Sequence, residues 1–419
     1  MKFRFRVVSL LFLFSVIIYI DRVCISVAAT SIQRDLHLTP KEWGWVLGAF
    51  FLAYSAFEIP VGALGDRLGP RRVITRIVSL WSIFTAMTGL VTNLWQLLVV
   101  RFLFGAGEAG AYPNSTAAIS RWFPKAERAR AQAVVWTASR VGGAITPICV
   151  IPIIALYGWR VTFAIFGGVG FVWAVAWWWW FRDTPAEKKG VTAQELDEIG
   201  RPAVTAEHAK LEWSVALRSG NFWWLLVMYF AHVWAAQFFV TWLYPFLENG
   251  RGYSKADLQY LSWIPFVCGA VANLLGGFSS DLLVKRLGLK WARRTIGITG
   301  HVFSGLMFVA VFLVHDKVWS IAFLALAYAG SDFALPVCWA VCLDIGGRHG
   351  GAVSGAMNTL GNIGGFLTSI VFGYVVEASG NYDLPMIPIF VMSLISAIAF
   401  FKIDSNRPLF EDGNRARAV

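Results

Sequence analysis

Charge is scarce in this chain: 15% of its 419 residues are Asp, Glu, Lys or Arg, where soluble globular domains carry about 25%. With 57% of residues hydrophobic and a mean hydropathy of +0.60, too little polar surface remains to cover a water-soluble fold. Reactive motifs are missing as well. No GxSxG, HExxH or Walker loop occurs, and the six His are scattered, so neither a catalytic centre nor a cofactor is expected. The five cysteines (Cys24, Cys149, Cys268, Cys338, Cys342) all sit in apolar runs without metal-ligand spacing or His neighbours. They read as buried thiols, and no metal site is expected.

What the chain has in abundance is apolar runs long enough to cross about 30 Å of hydrocarbon. Twelve are read, near 7–30, 42–64, 73–92, 95–118, 131–156, 161–181, 222–247, 257–279, 295–314, 318–344, 351–376 and 384–402. This pattern predicts an all-α, multi-pass membrane protein, with the lipid bilayer as its principal partner. The apolar run after MKFRFR outlasts a secretory signal and carries charges near its end, so an uncleaved first helix is expected. With both termini cytoplasmic, most of the 36 Lys and Arg fall in cytoplasmic segments, which is the positive-inside bias. The net charge of +11 therefore encodes topology and not nucleic-acid binding. Localisation in the inner (plasma) membrane is expected. The Trp run 177–180 reads as an interfacial belt.

The longest hydrophilic stretch, 182–220, divides the spans six and six and contains TAQELDEI, a short helical pattern with Thr192 as N-cap and Glu195 three residues on. The expected organisation is an N-terminal half 1–181, a cytoplasmic linker 182–220, a C-terminal half 221–402 and a cytoplasmic tail 403–419. The halves repeat weakly. GDRLGPRR (65–72) answers SSDLLVKRLG (279–288), RVGGAITP (140–147) answers NIGGFLTS (362–369), and Gly107-Glu108…Pro113 answers Ser331-Asp332…Pro336. Duplicated six-helix halves characteristically enclose a substrate site near the midplane and rock to give alternating access. The charged turns at the helix junctions, with Asp66, Arg67 and Arg71 in one half and Asp281 and Arg286 in the other, are expected to act as gates.

The deep charges carry the functional argument. An ion at a helix centre costs roughly 2.5–3.5 kcal/mol on insertion scales, yet Asp21, Arg22, Arg101, Glu108 and Arg140 all lie inside spans. Asp21 and Arg22 point about 100° apart, so they face different partners. Arg101 and Glu108, seven residues apart, share a helix face about 10 Å apart along the axis and suit one cavity. Around them, GAGEAGAYPN supplies small residues for close helix approach, and Pro113 is expected to kink the helix. Arg140 offers a planar fork for a carboxylate. Three cations against two acids leave a surplus of +1, which grows if Asp21 and Glu108 take protons. That favours an organic anion and couples its entry to protons. Tyr54, Gln237, Thr241, Asn358 and Asn362 are mid-span groups able to bind hydroxyls; each can also serve as an ordinary interhelical hydrogen bond. Glu58 is read as gate-related, and Asp332 as a helix-bonding group or a second protonation site.

YIDR (19–22), GDRLGPRR (65–72), RFLFGAGEAGAYPN (101–114), WFPKAERARAQ (122–132) and MNTLGNIGG (357–365) resemble the anion:cation symporter family of the major facilitator superfamily. That family includes bacterial galactonate, hexuronate and glucarate importers and animal sialin and vesicular glutamate transporters. The resemblance implies twelve helices in two pseudo-symmetric halves. It implies Asp21 and Glu108 as proton-binding acids, Arg22 and Arg101 in coupling and carboxylate binding, and Tyr54 and Asn362 in the pocket. Arg140 departs from the galactonate-type pattern, which has a glutamine there, and points to a more acidic substrate or an internal salt bridge. Glu58 and Val61 depart from a Gln-Ile-Pro-Gly-Gly pattern. The resulting expectation is a monomeric secondary transporter importing a small organic anion such as a hexuronate, aldonate or aldarate with protons, sodium remaining open. The competing readings are an exporter of drugs or metabolites and a transport-inactive nutrient sensor; the latter fits poorly with a tail of about 17 residues.

Overall fold

The computed structural model describes residues 2–124, 127–199 and 213–410, apart from the side chains of Asp66, Ala129 and Arg348 and the burial of Gly351. Its elements are helical: α1 Phe3–Val27, α2 Ala29–Asp35, α3 Pro40–Leu68, α4 Pro70–Thr88, α5 Leu94–Glu108, α6 Ala111–Trp122, α7 Arg128–Trp180, α8 Ala193–Ile199, α9 Trp213–Arg218, α10 Gly220–Thr241, α11 Leu243–Pro245, α12 Lys255–Leu261, α13 Ile264–Leu313, α14 Lys317–Gly346, α15 Gly350–Ser379 and α16 Met386–Lys402. Among the described residues, seven helical stretches are long and apolar enough to cross a membrane. Two of these, of 51 and 59 residues, are long enough for two crossings each, since one needs about 20 residues. The remaining expected spans fall on α4, which carries Arg71, Arg72 and Arg76 in its first turns, on the broken pair α5–α6, and on α16, an apolar helix of 17 residues. Every one of the twelve expected spans is thus helical.

Helix ends follow local chemistry. Thr39 and Glu42 form a reciprocal capping box at the start of α3, with Pro40 in the first turn. Asn93 caps α5 and Asp316 caps α14. The long helices α7 and α13 each break at one glycine in the positive-φ region, Gly158 at +77° and Gly288 at +75°. Gly69, between α3 and α4, has φ +83°. Gly69 and Gly288 close the two copies of Arg-Leu-Gly (67–69 and 286–288), so the turn recurs in backbone geometry as well as in sequence.

The chain divides into two compact units, Met1–Glu207 with Val240–Trp263, and His208–Phe239 with Ile264–Val419. The seventh expected span, 222–247, is thereby shared between them. In the first unit, Gly62 sits under Pro113, where a Cβ would lie 3.3 Å from the proline; in the second, Gly277 sits under Pro336 at 3.7 Å. Each unit is closed by an acid just past a membrane helix. Asp183 accepts from Arg71 N at 2.9 Å, and Asp404 accepts from Lys290 Nζ at 2.6 Å. Arg71 and Lys290 stand two residues after Gly69 and Gly288.

In the first unit the linker helix α8 is docked. Thr192 caps it, accepting from Glu195 N at 3.2 Å, as the sequence indicates. The Glu195 carboxylate, however, accepts from the backbone N–H groups of Phe3 and Arg4 at 3.1 and 2.9 Å. It therefore satisfies the otherwise orphaned amides at the start of α1. Glu198 adds Lys2 and Arg4 as partners, and Phe3 stacks on Trp180. The surface helix expected from sequence is an anchored one. Of the tryptophan run read as an interfacial belt, Trp177 is a core residue, fully buried and stacked on Trp173 and Phe181.

Candidate functional site

Three helices of the first unit converge on one buried cluster. α1 supplies Tyr19, Asp21 and Arg22; α3 supplies Phe50, Tyr54 and Glu58; α5 supplies Arg101 and Glu108. Residues three, four or seven apart on each helix share a face, which brings Tyr19 with Arg22, Phe50 with Tyr54 and Arg101 with Glu108.

Arg22 Nε and Nη2 both engage Glu108 Oε1. Glu108 is fully buried, and its second oxygen, Oε2, has no hydrogen-bond partner. Three rings surround the Arg22 guanidinium, those of Tyr54 at 4.8 Å, Phe50 at 5.1 Å and Tyr19 at 5.7 Å. Arg101 stands over Phe104 at 4.8 Å and over the same Phe50 at 5.2 Å. Among the described residues no carboxylate lies within ion-pair distance of it. Asp21 is buried and neither of its oxygens is hydrogen-bonded; the Trp81 indole lies beside it without completing a bond. Such unpartnered charge is costly and persists only where other parts of the structure fix it. The adjacent acid and base therefore do face different neighbours, and the partner of Arg22 is Glu108 rather than Asp21.

A small cavity opens onto both guanidiniums. Bordered by Phe50, Phe51, Val240 and Thr241 as well as Arg22 and Arg101, it measures about 10 Å³, the room of roughly one water molecule. Ser26 Oγ donates to Thr241 O at 2.6 Å, tying α1 to the last residue of α10. Beside the cluster, Tyr112 stacks on Trp136 at 4.5 Å and shares a hydrogen bond with Ser15 at 3.1 Å. Glu58 is buried, and its charge acts on Tyr54.

The fourth span is broken at the acid itself. α5 stops at Glu108, Gly110 adopts φ +80° and ψ 4°, and α6 begins at Ala111. Pro113, expected to cause a kink, sits instead in the first turn of α6, where a missing N–H removes no hydrogen bond. Discontinuous helices at a charged site are the usual way transporters expose backbone to a substrate or ion.

Arg140 is partly buried on α7, two residues before Gly142, where α7 touches α1 at Val16 and Tyr19. Gln237, Asn358 and Asn362 belong to the second unit. Asn362 donates to Asn358 O at 2.9 Å, so its amide is engaged by its own helix. Of the expected gating residues, Arg71 donates to Trp178 O as well as to Asp183. Arg67, Asp281 and Arg286 are exposed, and the Asp66 side chain lies outside the described residues. In the second unit Lys290 pairs with Asp404 and Arg293 with Asp344. Sequence reading missed Tyr19, Phe50 and Tyr112; the helical spacing of Tyr19 from Arg22 and of Phe50 from Tyr54 was the available signal, whereas Tyr112 lies across the break at Gly110 from Glu108.

The Major Facilitator Superfamily profile matches residues 11–369. A probable sulfoacetate transporter of Cupriavidus necator is 36% identical over 389 residues, covering 92% of this chain and 90% of the relative. A probable galactarate/D-glucarate transporter of Escherichia coli is 30% identical over 418 residues (95% and 92%), and a hexuronate transporter of Bacillus subtilis 28% over 386 residues (91% and 90%). The fold is also that of a bacterial homologue of the human lysosomal transporter Spinster, with a TM-score of 0.79 at 20% identity over 95% of this chain and 96% of that one. With that profile spanning most of its length, the chain belongs to the Major Facilitator Superfamily and is a multi-pass membrane transporter.

Proposed function

We propose that this protein imports a small organic anion together with protons across the inner membrane, both termini being cytoplasmic, by alternating access between its two halves. The observation that carries the reading is the Arg22–Glu108 pair, whose carboxylate is fully buried and keeps one oxygen unpartnered. A proton added at that oxygen neutralises the acid and leaves Arg22 without its counter-charge. The cavity beside it then presents two guanidiniums, Arg22 and Arg101, to an incoming anion. A guanidinium fork matches the planar geometry of a carboxylate and binds it bidentately. Asp21, buried and without a hydrogen bond, is the second proton carrier.

The relatives are named for sulfoacetate, galactarate, glucarate and hexuronates. The first three are dianions, and two arginines together with Arg140 suit an acid of that class better than a monoanionic aldonate. Asp66, Arg67, Arg71, Asp281 and Arg286 act as gates at the helix junctions.

The test is uptake in proteoliposomes under an imposed pH gradient, with sulfoacetate, galactarate and glucuronate as substrates. Glu108→Gln should reduce proton-driven accumulation at least about tenfold while retaining exchange of substrate across the membrane. Full gradient-driven accumulation by the variant would sink the coupling proposal. Dependence on a sodium gradient in place of a pH gradient would reassign the ion.

A further inference from the structure

At Trp180 the helix α7 passes from apolar residues into Arg182, Asp183, Lys188 and Lys189. From its break at Gly158 to Trp180 it rises about 33 Å, the thickness of one hydrocarbon core. These charges therefore stand at the membrane boundary, beside the start of α1. The last carbonyls of a helix lack intrahelical donors, and here cations supply them. Arg71 Nε and Nη2 donate to Trp178 O at 3.0 and 2.7 Å. Arg182 Nη1 donates to Trp179 O at 2.9 Å and to Phe181 O at 2.8 Å, and Lys188 Nζ to Trp180 O at 2.6 Å. Rings hold the same groups in place. Arg71 stands 4.2 Å over Trp178 and Lys188 4.4 Å over Trp180, which stacks on Phe3; Arg6 lies 4.9 Å over that Phe3 ring.

A carbonyl satisfies an N–H but does not cancel a charge, and carboxylates are too few at this corner. Asp183 and Glu187 act on Arg71, but so do the charges of Arg182 and Arg72. Asp183 is shared with Arg121 at 3.7 Å, and Glu187 accepts from Thr184 Oγ1. Partial burial, and then the charges of Arg182, Arg6 and Arg71, lower the pKa of Lys188. Every charge acting on it is thus positive. Among the described residues, no carboxylate lies within ion-pair distance of Arg6 or Lys188. The second unit differs, since its Lys290 and Arg293 each meet an Asp. Cations left unbalanced at a membrane boundary call for an anion from outside the chain, and the wall beside them narrows its chemistry. Trp179 is 74% exposed and Trp178 is exposed as well, the arrangement of aromatic rings that sit at headgroup level. A molecule matching both features has an anionic head and apolar tails.

We propose that Arg6, Arg182 and Lys188, with the exposed rings of Trp178 and Trp179, bind the phosphate headgroup of an anionic phospholipid in the leaflet on the N-terminal side of the membrane. The phosphate supplies the negative charge that Arg6 and Lys188 lack, and the acyl chains run along the tryptophan wall. A zwitterionic headgroup brings its own cation into the cluster and is disfavoured. The site is separate from the substrate cavity and independent of the coupling scheme above.

Photo-crosslinking of the full chain in proteoliposomes tests this, with Trp179 replaced by photoreactive p-benzoylphenylalanine. The bilayer is phosphatidylethanolamine with a minor share of phosphatidylglycerol, and the adducts are identified by mass spectrometry. Phosphatidylglycerol should form a several-fold larger share of the adducts than of the bilayer. Each basic group near an anionic surface contributes about fivefold, so Arg6→Gln with Lys188→Gln should return that share to the bilayer value. Arg218→Gln with Lys402→Gln removes the same charge from the second unit and should leave the enrichment intact. Adducts that follow bilayer composition in the chain with both cations present would overturn the proposal. So would enrichment that survives the first double variant, or equal loss in both. Inorganic phosphate at matched ionic strength should not displace the lipid; displacement would reassign the cluster to soluble anions and equally overturn the lipid site. The readout is a ratio of adducts at one position of reconstituted protein, so a low yield of a variant does not imitate a lost site.

Discussion

At φ +80°, Gly110 occupies backbone that side chains rarely adopt, and a Cβ there would meet Val61 Cγ1 at 2.7 Å. Gly110→Ala should therefore destabilise the protein by about 1–3 kcal/mol, partly from backbone strain and partly from overpacking. Thermal unfolding in detergent would show this as a lowered Tm. Adding Val61→Gly should recover the overpacking part and leave the strain; recovery to the starting Tm would mean that strain contributes nothing. At this scale the sequence was informative about which residues matter and silent about how they pair. Asp21, Arg22, Arg101 and Glu108 stood out because ions inside apolar runs are costly. That Arg22 meets Glu108 depends on the rotation of α1 against α5, which no local pattern encodes. The helix break was assigned to Pro113 because proline is the stronger local breaker. The glycine three residues earlier wins because close packing on Val61 and a left-handed turn both demand it.

Helices here are fixed as much by distant side chains as by their own caps. α8 is seven residues long, too short to persist alone in water, and its attachment rests on Glu195 and Glu198 at the start of α1. Glu195→Ala leaves two amides of α1 without acceptors and should release the linker. Limited trypsinolysis would then cut after Lys188 and Lys189 several-fold faster than in the wild type; unchanged cleavage would show that the ion pairs of Glu198 suffice. Thr192 and Glu195 were recognisable as a helix start from their spacing. The reach of Glu195 to residues some 190 positions away was not, because a capping box and a tertiary cap use the same residue type.

Across the whole chain the duplication is visible in sequence as three short matches and in structure as recurring geometry. Asp183 and Asp404 escaped the sequence reading because each lies outside the repeated motif and meets it only after folding. Burial disfavours ionised Asp404, but the hydrogen bond from Lys290, with the Asn406 N–H and the charges of Lys290 and Arg407, prevails and holds its carboxyl below the usual range. A lowered folded-state value contributes stability that is present above the unfolded value of about 3.9 and lost as pH falls through the folded one. The Tm advantage of wild type over Asp404→Asn should accordingly be full near neutrality and shrink to nothing under strong acid, and a gap independent of pH would reject this role for the ion pair. The interruption of the fourth span has a mechanical meaning as well. With its hydrogen-bond ladder cut at Gly110, α5 and α6 are joined by a swivel rather than a rod. α6, seated on Val61, Gly62 and Gly65 of α3, can then tilt with that helix while Glu108 keeps its station beside Arg22.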